Sequence, residues 1–269
     1  MKGIDVSLWQ GEIDWNAVKA DGVSFAMIKA SEGGAGDPAE SGTVDPRFRQ
    51  NIENASAAGI ACGVYHYLTA KTPEQAREEA DFFLKTIRPF AGRIALWAAA
   101  DMETAAGMDR TALTDTVLSF LRRVEEGGFS PMLYANTDYI RNRYDYARLA
   151  AYPLWYACWY DAAGEEERPE RTFSYAIWQQ GAGRVAGVSG ACDVDYGTFS
   201  LPREETPEEG QEDPAAEETP AETSAQETSQ PPAESAAPKG TRLAKILCRI
   251  LRFLLRLLGG ESKTERRTP

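Results

Sequence analysis

The chain has 269 residues and a formal net charge of −12, unevenly spread. Residues 1–200 are acidic (net −9) and hold every Trp, Tyr and His, residues 203–239 carry 11 acidic residues against two basic, and residues 240–269 carry eight basic against two acidic. That balance excludes nucleic acid as a partner of the first 200 residues, because phosphate contacts need Lys and Arg, and a domain of that size buries a core unaided.

Met1 and Lys2 run directly into a first strand at 4–6, with no apolar leader, so no signal peptide is expected. Asp14 caps a helix over 15–20. A strand at 25–30, a helix over 46–58 and a strand at 61–67 follow. Thr72, Pro73 and Glu74 then open a helix over 73–87. Next come a strand at 94–101, a helix over 111–127 and a strand at 132–135. Later strands, near 154–157, 175–179 and 194–199, lack good helices between them. Alternating strands and helices predict parallel βαβ units. The expected fold is α/β, an irregular, flattened TIM-like (β/α) barrel that is regular first and irregular later.

Chemistry in such a barrel gathers at the C-terminal ends of the strands. Asp5 ends the first strand, Glu32 the second, His66 and Tyr67 the third, Asp101 and Glu103 the fourth. Tyr134 ends the fifth, Trp155 and Trp159 the sixth, Gln179 the seventh. Asp101 and Glu103, two residues apart, project to one face. Acid-catalysed cleavage of an acetal requires such a pair, one neutral to donate a proton and one ionised to stabilise positive charge. Glu103 suits the acid, since an apolar run and the charge on Asp101 both favour its neutral form. Asp5 and Asp193 are further candidates. Asp193 and Asp195 lack the other ligand positions of a calcium loop.

His66 is the only histidine, without partners at metal-ligand spacing and without a G-x-S-x-G nucleophile, so no metal or cofactor is expected. Most tryptophans are read as core, and Trp159 as the best candidate to stack on a sugar. Cys62, Cys158, Cys192 and Cys248 show no CxxC spacing and are expected to be reduced, with a Cys62 bridge to Cys158 or Cys192 as the open alternative. The run Trp97, Ala98, Ala99, Ala100 is smaller than the branched aliphatics expected before a catalytic pair, which leaves the packing of that strand open.

Residues 203–239 have too little apolar content to offset chain entropy and read as a disordered linker rich in Pro, Glu, Thr and Ser. In 240–269, Arg242, Lys245, Arg249, Arg252 and Arg256 recur at helical spacing with leucines and isoleucines between them. That pattern predicts a cationic amphipathic helix lying on an anionic membrane surface, whereas a transmembrane span needs about 20 predominantly apolar residues.

These residues together resemble a family. Gly3-Ile4-Asp5-Val6-Ser7, Trp9-Gln10-Gly11, Phe25 to Gly33, Gly63-Val64-Tyr65-His66-Tyr67, Asp101-Met102-Glu103, Pro131 to Tyr134, Leu154-Trp155, Trp178-Gln179 and Cys192-Asp193 are similar, in order, to the glycoside hydrolase family 25 lysozymes. The likeness covers about residues 2–200 and implies a catalytic domain over 1–202, a flattened barrel of about eight strands and five helices. It also implies N-acetylmuramidase activity on bacterial peptidoglycan. Glu103 would be the general acid, Asp101 its assistant, and Asp5 and Asp193 the other cleft acids. Tyr65, Tyr67 and Tyr134 would line the cleft, with Gln10 and Glu32 in support. The alternative is a catalytically silent, glycan-binding barrel with a membrane-active helix; the intact set of four acids favours the enzyme. Such an enzyme would act on the cell wall. Without a signal peptide it would stay cytoplasmic or on the inner membrane until released, as a phage-type lysin or a bacterial enzyme.

Overall fold

The computed structural model describes residues 1–33, 42–159 and 173–201. The predicted linker and the cationic segment with Arg242, Lys245, Arg249, Arg252 and Arg256, as well as Cys248, lie outside the described residues.

The strands are β1 (Lys2–Val6), β2 (Val23–Glu32), β3 (Thr43–Val44), β4 (Ala61–Tyr67), β5 (Ile94–Asp101), β6 (Pro131–Asn136), β7 (Leu154–Ala157), β8 (Ile177–Arg184) and β9 (Ala191–Gly197). Six parallel pairings join β1 to β2, β2 to β4, and then β4 through β8 in turn. β9 lies antiparallel between β8 and β1 and closes an eight-stranded barrel. The short β3 is a side pairing on the end of β2.

The order explains why the second half is irregular. Among the described residues the α-helices are α1 (Trp15–Ala20), α2 (Phe48–Ala57), α3 (Pro73–Ile87) and α4 (Arg110–Glu126), with a fifth, π-helical turn over Tyr139–Arg143. All four α-helices precede β6. The connection from β8 to β9, Val185 to Gly190, is too short for a parallel crossover, so the chain turns back as a hairpin.

Local chemistry sets the helix starts. The Asp14 side chain accepts from the backbone N–H of Asn16 and Ala17. Thr72 accepts from Gln75 N–H with Pro73 in the first turn, and Asp109 accepts from Ala112 N–H. α3 and α4 pack together over the outside of the barrel, closely enough that a Cβ on Gly127 would collide with Leu84.

Because strand side chains alternate, the barrel has two apolar cores. The outer one, between strands and helices, includes Ile4, Ile28, Val64, Phe83, Phe120 and Leu133. The inner one is Phe25, Met27, Tyr65, Ala99, Met132, Tyr134, Trp155, Ala157 and Ile177. Phe25 and Met27 fill the space left by Gly3 and Gly63, where any Cβ would overlap their side chains. The alanine run is resolved by the same alternation. Ala98 and Ala100 are fully buried in the outer core and Ala99 in the inner one, so all three face packed side chains that leave no room for branched residues. Cys62 and Cys192 are buried and Cys158 half-buried, all three as free thiols.

Candidate active site

The C-terminal mouth of the barrel brings the four sequence-identified acids together. Asp5 on β1 pairs in register with Asp193 on β9. On the far side, Tyr67, Asp101, Tyr134 and Trp155 are consecutive register partners across β4, β5, β6 and β7. Burial lifts the Tyr134 phenol well above its ordinary range, and the negative charges of Glu103, Asp101, Asp5 and Asp193, in that order, raise it further. Tyr65 is raised in the same way, by burial first and then by Asp5, Asp101, Asp45 and Asp193. Two strongly neutral phenols thus sit inside one ring of carboxylates.

Glu103 lies just past the end of β5, on a loop held by its own carbonyls. Tyr139 Oη donates to Glu103 O at 2.6 Å, Lys71 Nζ to Thr104 O at 2.8 Å, and Arg143 Nη2 to Ala105 O at 3.0 Å. Three consecutive carbonyls are therefore taken by side chains from other elements. Leu68 N–H also donates to Asp101 O at 2.8 Å. The loop that carries the acid is pinned through its backbone, which leaves the Glu103 side chain to be aimed by the chain and not by its own contacts alone.

The opposite wall is organised by Gln179 of β8. Its Nε2 donates to Asp5 Oδ2 at 2.7 Å, while its Oε1 accepts from Tyr134 Oη at 2.9 Å and from Trp159 Nε1 at 2.8 Å. Trp155 forms the floor, edge-on to Tyr134 and Tyr65 with centroids 4.8 and 5.7 Å apart. Its indole N–H donates to Asp195 Oδ1 at 2.8 Å. Asp195 is fully buried on the same face of β9 as Asp193; burial raises its carboxyl well above the usual range, against the pull of Trp155, and Asp193 adds to the rise.

Other expected residues take more structural positions. Gln10 is buried, and its Oε1 accepts from Ser7 N–H at 2.8 Å in a capping box. Its side chain therefore shapes the turn after β1. That turn holds Trp9 outward, 65% exposed, which differs from the expectation that Trp9 is core; the short helical turn Leu8–Gln10 leaves it no inner face to join. Glu32 pairs with Tyr67 in register and forms an ion pair of 2.6 Å with Lys29, whose ammonium lies 5.3 Å from the Tyr67 ring centroid. Trp159 is half-buried and anchored through its N–H. His66 points away from the mouth and is fully buried, bonded to Ser31 Oγ at 2.8 Å and Glu79 Oε2 at 3.0 Å.

Sequence reasoning placed Gln179 at the cleft end of a strand without a role, and did not select Tyr139, Lys71, Arg143, Asp195 or Trp9 as site residues. Asp195 had a readable signal, since it shares a strand face with Asp193. Gln179 had its place at a strand end. The three donors to the Glu103 loop come from distant segments and carry no local mark.

A closed β/α barrel with carboxylates and aromatic rings gathered at its C-terminal mouth has the architecture of the barrel glycoside hydrolases. The chain belongs to glycosyl hydrolases family 25, whose family model matches residues 4–188. It is 30% identical over 196 residues to the autolytic lysozyme of Clostridium acetobutylicum, covering 72% of this chain and 55% of that protein. It is 31% identical over 211 residues to lysozyme M1 of Streptomyces globisporus, covering 74% of this chain and 68% of that protein. The solved lysozyme of Streptomyces coelicolor has the same fold, with a TM-score of 0.57 at 28% identity over 74% of this chain and 93% of that one. The chain thus spans little more than half of the autolytic lysozyme and about two-thirds of lysozyme M1.

Proposed function

We propose that the chain is a muramidase that hydrolyses the β-1,4 bond between N-acetylmuramic acid and N-acetylglucosamine in bacterial peptidoglycan. The observation that carries this reading is the meeting of Asp5, Asp101, Glu103 and Asp193 around Tyr134, at the barrel mouth of a family 25 chain. Glu103 donates its proton to the leaving glycosidic oxygen as the bond to the anomeric carbon breaks. Asp101 orients the substrate's N-acetyl group or faces the cationic centre that develops. Asp5 and Asp193 add negative charge to the same cleft, where that charge stabilises an oxocarbenium-like centre. Water then adds to the anomeric carbon and gives up a proton to the cleft carboxylates, which restores the acid on Glu103 and leaves a reducing sugar.

Tyr65, Tyr67 and Tyr134 form the wall, with Glu32 and Lys29 at its rim and Gln10 shaping the turn beside it. Trp159 lines the wall with its ring while its N–H is held by Gln179, and the exposed Trp9 offers a stacking face outside the acid cluster. The test is release of reducing ends from purified cell wall by Glu103→Gln. Loss of at least about a hundredfold, with unchanged thermal stability, is expected for removal of a general acid; unchanged release would refute the assignment.

The reading extends to where the protein works. The charge and leucine pattern of 240–269 supports binding to an anionic membrane surface through Arg242, Lys245, Arg249, Arg252 and Arg256, with the acidic stretch 203–239 as a spacer. Full-length protein should float with anionic liposomes and a 1–205 truncation should not; equal flotation removes this part of the proposal.

A further inference from the structure

The Gln179 amide has only one orientation that satisfies its neighbours. An indole N–H is a donor and never an acceptor. The Gln179 atom 2.8 Å from Trp159 Nε1 is therefore its carbonyl oxygen, and Nε2 is turned to Asp5 Oδ2 at 2.7 Å. The same oxygen takes the hydroxyl proton of Tyr134, which is thereby withheld from the cleft acids. Trp159 thus sets, through one amide, what Asp5 receives: an N–H donor.

That donor acts against the like charges gathered near Asp5. From β9 it faces Asp193 across the register pair, with Asp195 and the Cys192 thiol on the same strand. From β4 and β6 come the neutral phenols Tyr65 and Tyr134, and from the end of β5 the carboxylates Asp101 and Glu103. On β2 the register partner is the uncharged Met27, and the cation further along that strand, Lys29, is engaged with Glu32. Like charges favour the protonated form of a carboxyl, whereas a hydrogen bond to its oxygen favours the ionised form.

We propose that Gln179, anchored by Trp159, is a positioning residue that keeps Asp5 ionised and facing the cleft, so that Asp5 contributes charge and not a proton. The functional part of this inference rests on the muramidase reading above; the protonation part does not.

The experiment follows the Asp5 side-chain carboxyl carbon by NMR titration in the full-length protein, assigned by comparison with Asp5→Asn. Gln179→Met removes the donor without adding charge. Gln179→Glu keeps an acceptor for Trp159 and Tyr134 but puts a second acid against Asp5. The Asp5 midpoint should rise by about one unit in Gln179→Met and further in Gln179→Glu. Trp159→Phe, which removes one N–H at a half-buried site and tests the anchor even if a Gln179 variant fails to fold, should give a smaller rise. The acid limb of the kcat/KM profile on peptidoglycan should move in the same direction. A midpoint that moves less than about 0.3 unit in Gln179→Met or Trp159→Phe, or that moves in Gln179→Glu alone, overturns the proposal. If the midpoints shift as expected but wild-type protein releases no reducing ends, the hydrolase reading falls and the protonation assignment stands.

Discussion

The two faces of β4 hold two buried polar networks built to different ends. On the outer face, His66 is closed in by Ser31 and Glu79, Glu79 also accepts from the backbone N–H and the hydroxyl of Thr69, and Phe120 stacks on the imidazole at 5.3 Å. On the inner face, Tyr65 and Tyr67, the residues on either side of His66, look into the carboxylate ring at the mouth. The outer network is satisfied by neutral and charged partners within the protein. The inner one gathers acids of one sign. Burial with matched partners makes a structural support, and burial of like charges beside an opening makes a chemical site.

Substitutions on the two faces should therefore separate activity from stability. The largest activity effect belongs to Glu103→Gln on the inner face, and its stability should stay within about 0.5 kcal/mol of wild type. Glu79→Ala on the outer face should do the reverse. It takes the acceptor from the buried His66 and from two half-buried Thr69 donors and should cost about 3 kcal/mol in urea unfolding, with near-normal activity per folded molecule. A Glu79→Ala protein as stable as wild type would show that the outer network is not a structural support.

Smaller effects are expected where a single contact is removed. Tyr139→Phe removes the hydroxyl held by the Glu103 carbonyl, one part-buried hydrogen bond of about 1 kcal/mol. It should lower kcat about fivefold with little change in KM; a change confined to KM would mean that the loop does not aim Glu103. His66 contributes a pH signature of the outer network. Burial lowers its pKa from 6.5, outweighing the opposing pull of Glu79. The unfolded chain then binds the extra proton first, so this stability is fully present above pH 6.5 and is lost as the pH falls toward the lower folded value. Urea unfolding at pH 7 and pH 5.5 should show the loss in wild type and a smaller one in His66→Gln. The smallest effect is expected at Trp9, where Ala should raise KM on long glycan a few-fold and leave kcat and stability unchanged, as for an exposed stacking residue.

Much of this was legible from the sequence because strand periodicity assigns faces. Residues 61–67 and 94–101 carry the pattern that becomes β4 and β5, and the two-residue spacing of Asp101 and Glu103 marked the mouth. The antiparallel return of β9 was not legible, since residues 194–199 look the same in either direction and the short hairpin from β8 decides it. Gln10 and Trp9 show the limit differently. Their neighbours fix a turn in which Gln10 caps the backbone and Trp9 is left in solvent, and adjacent letters do not record which of the two faces inward. Tyr139, Lys71 and Arg143 were hidden because each meets the Glu103 loop from 30 or more residues away in the chain.

Hydrolysis of the glycan after N-acetylmuramic acid leaves that sugar at each new reducing end. The direct measurement is mass spectrometry of borohydride-reduced fragments from purified peptidoglycan digested with the full-length protein. Reduced N-acetylmuramic acid is expected at the new ends, absent from a Glu103→Gln digest. New ends at N-acetylglucosamine, or new amino groups without new reducing sugars, would contradict the muramidase reading.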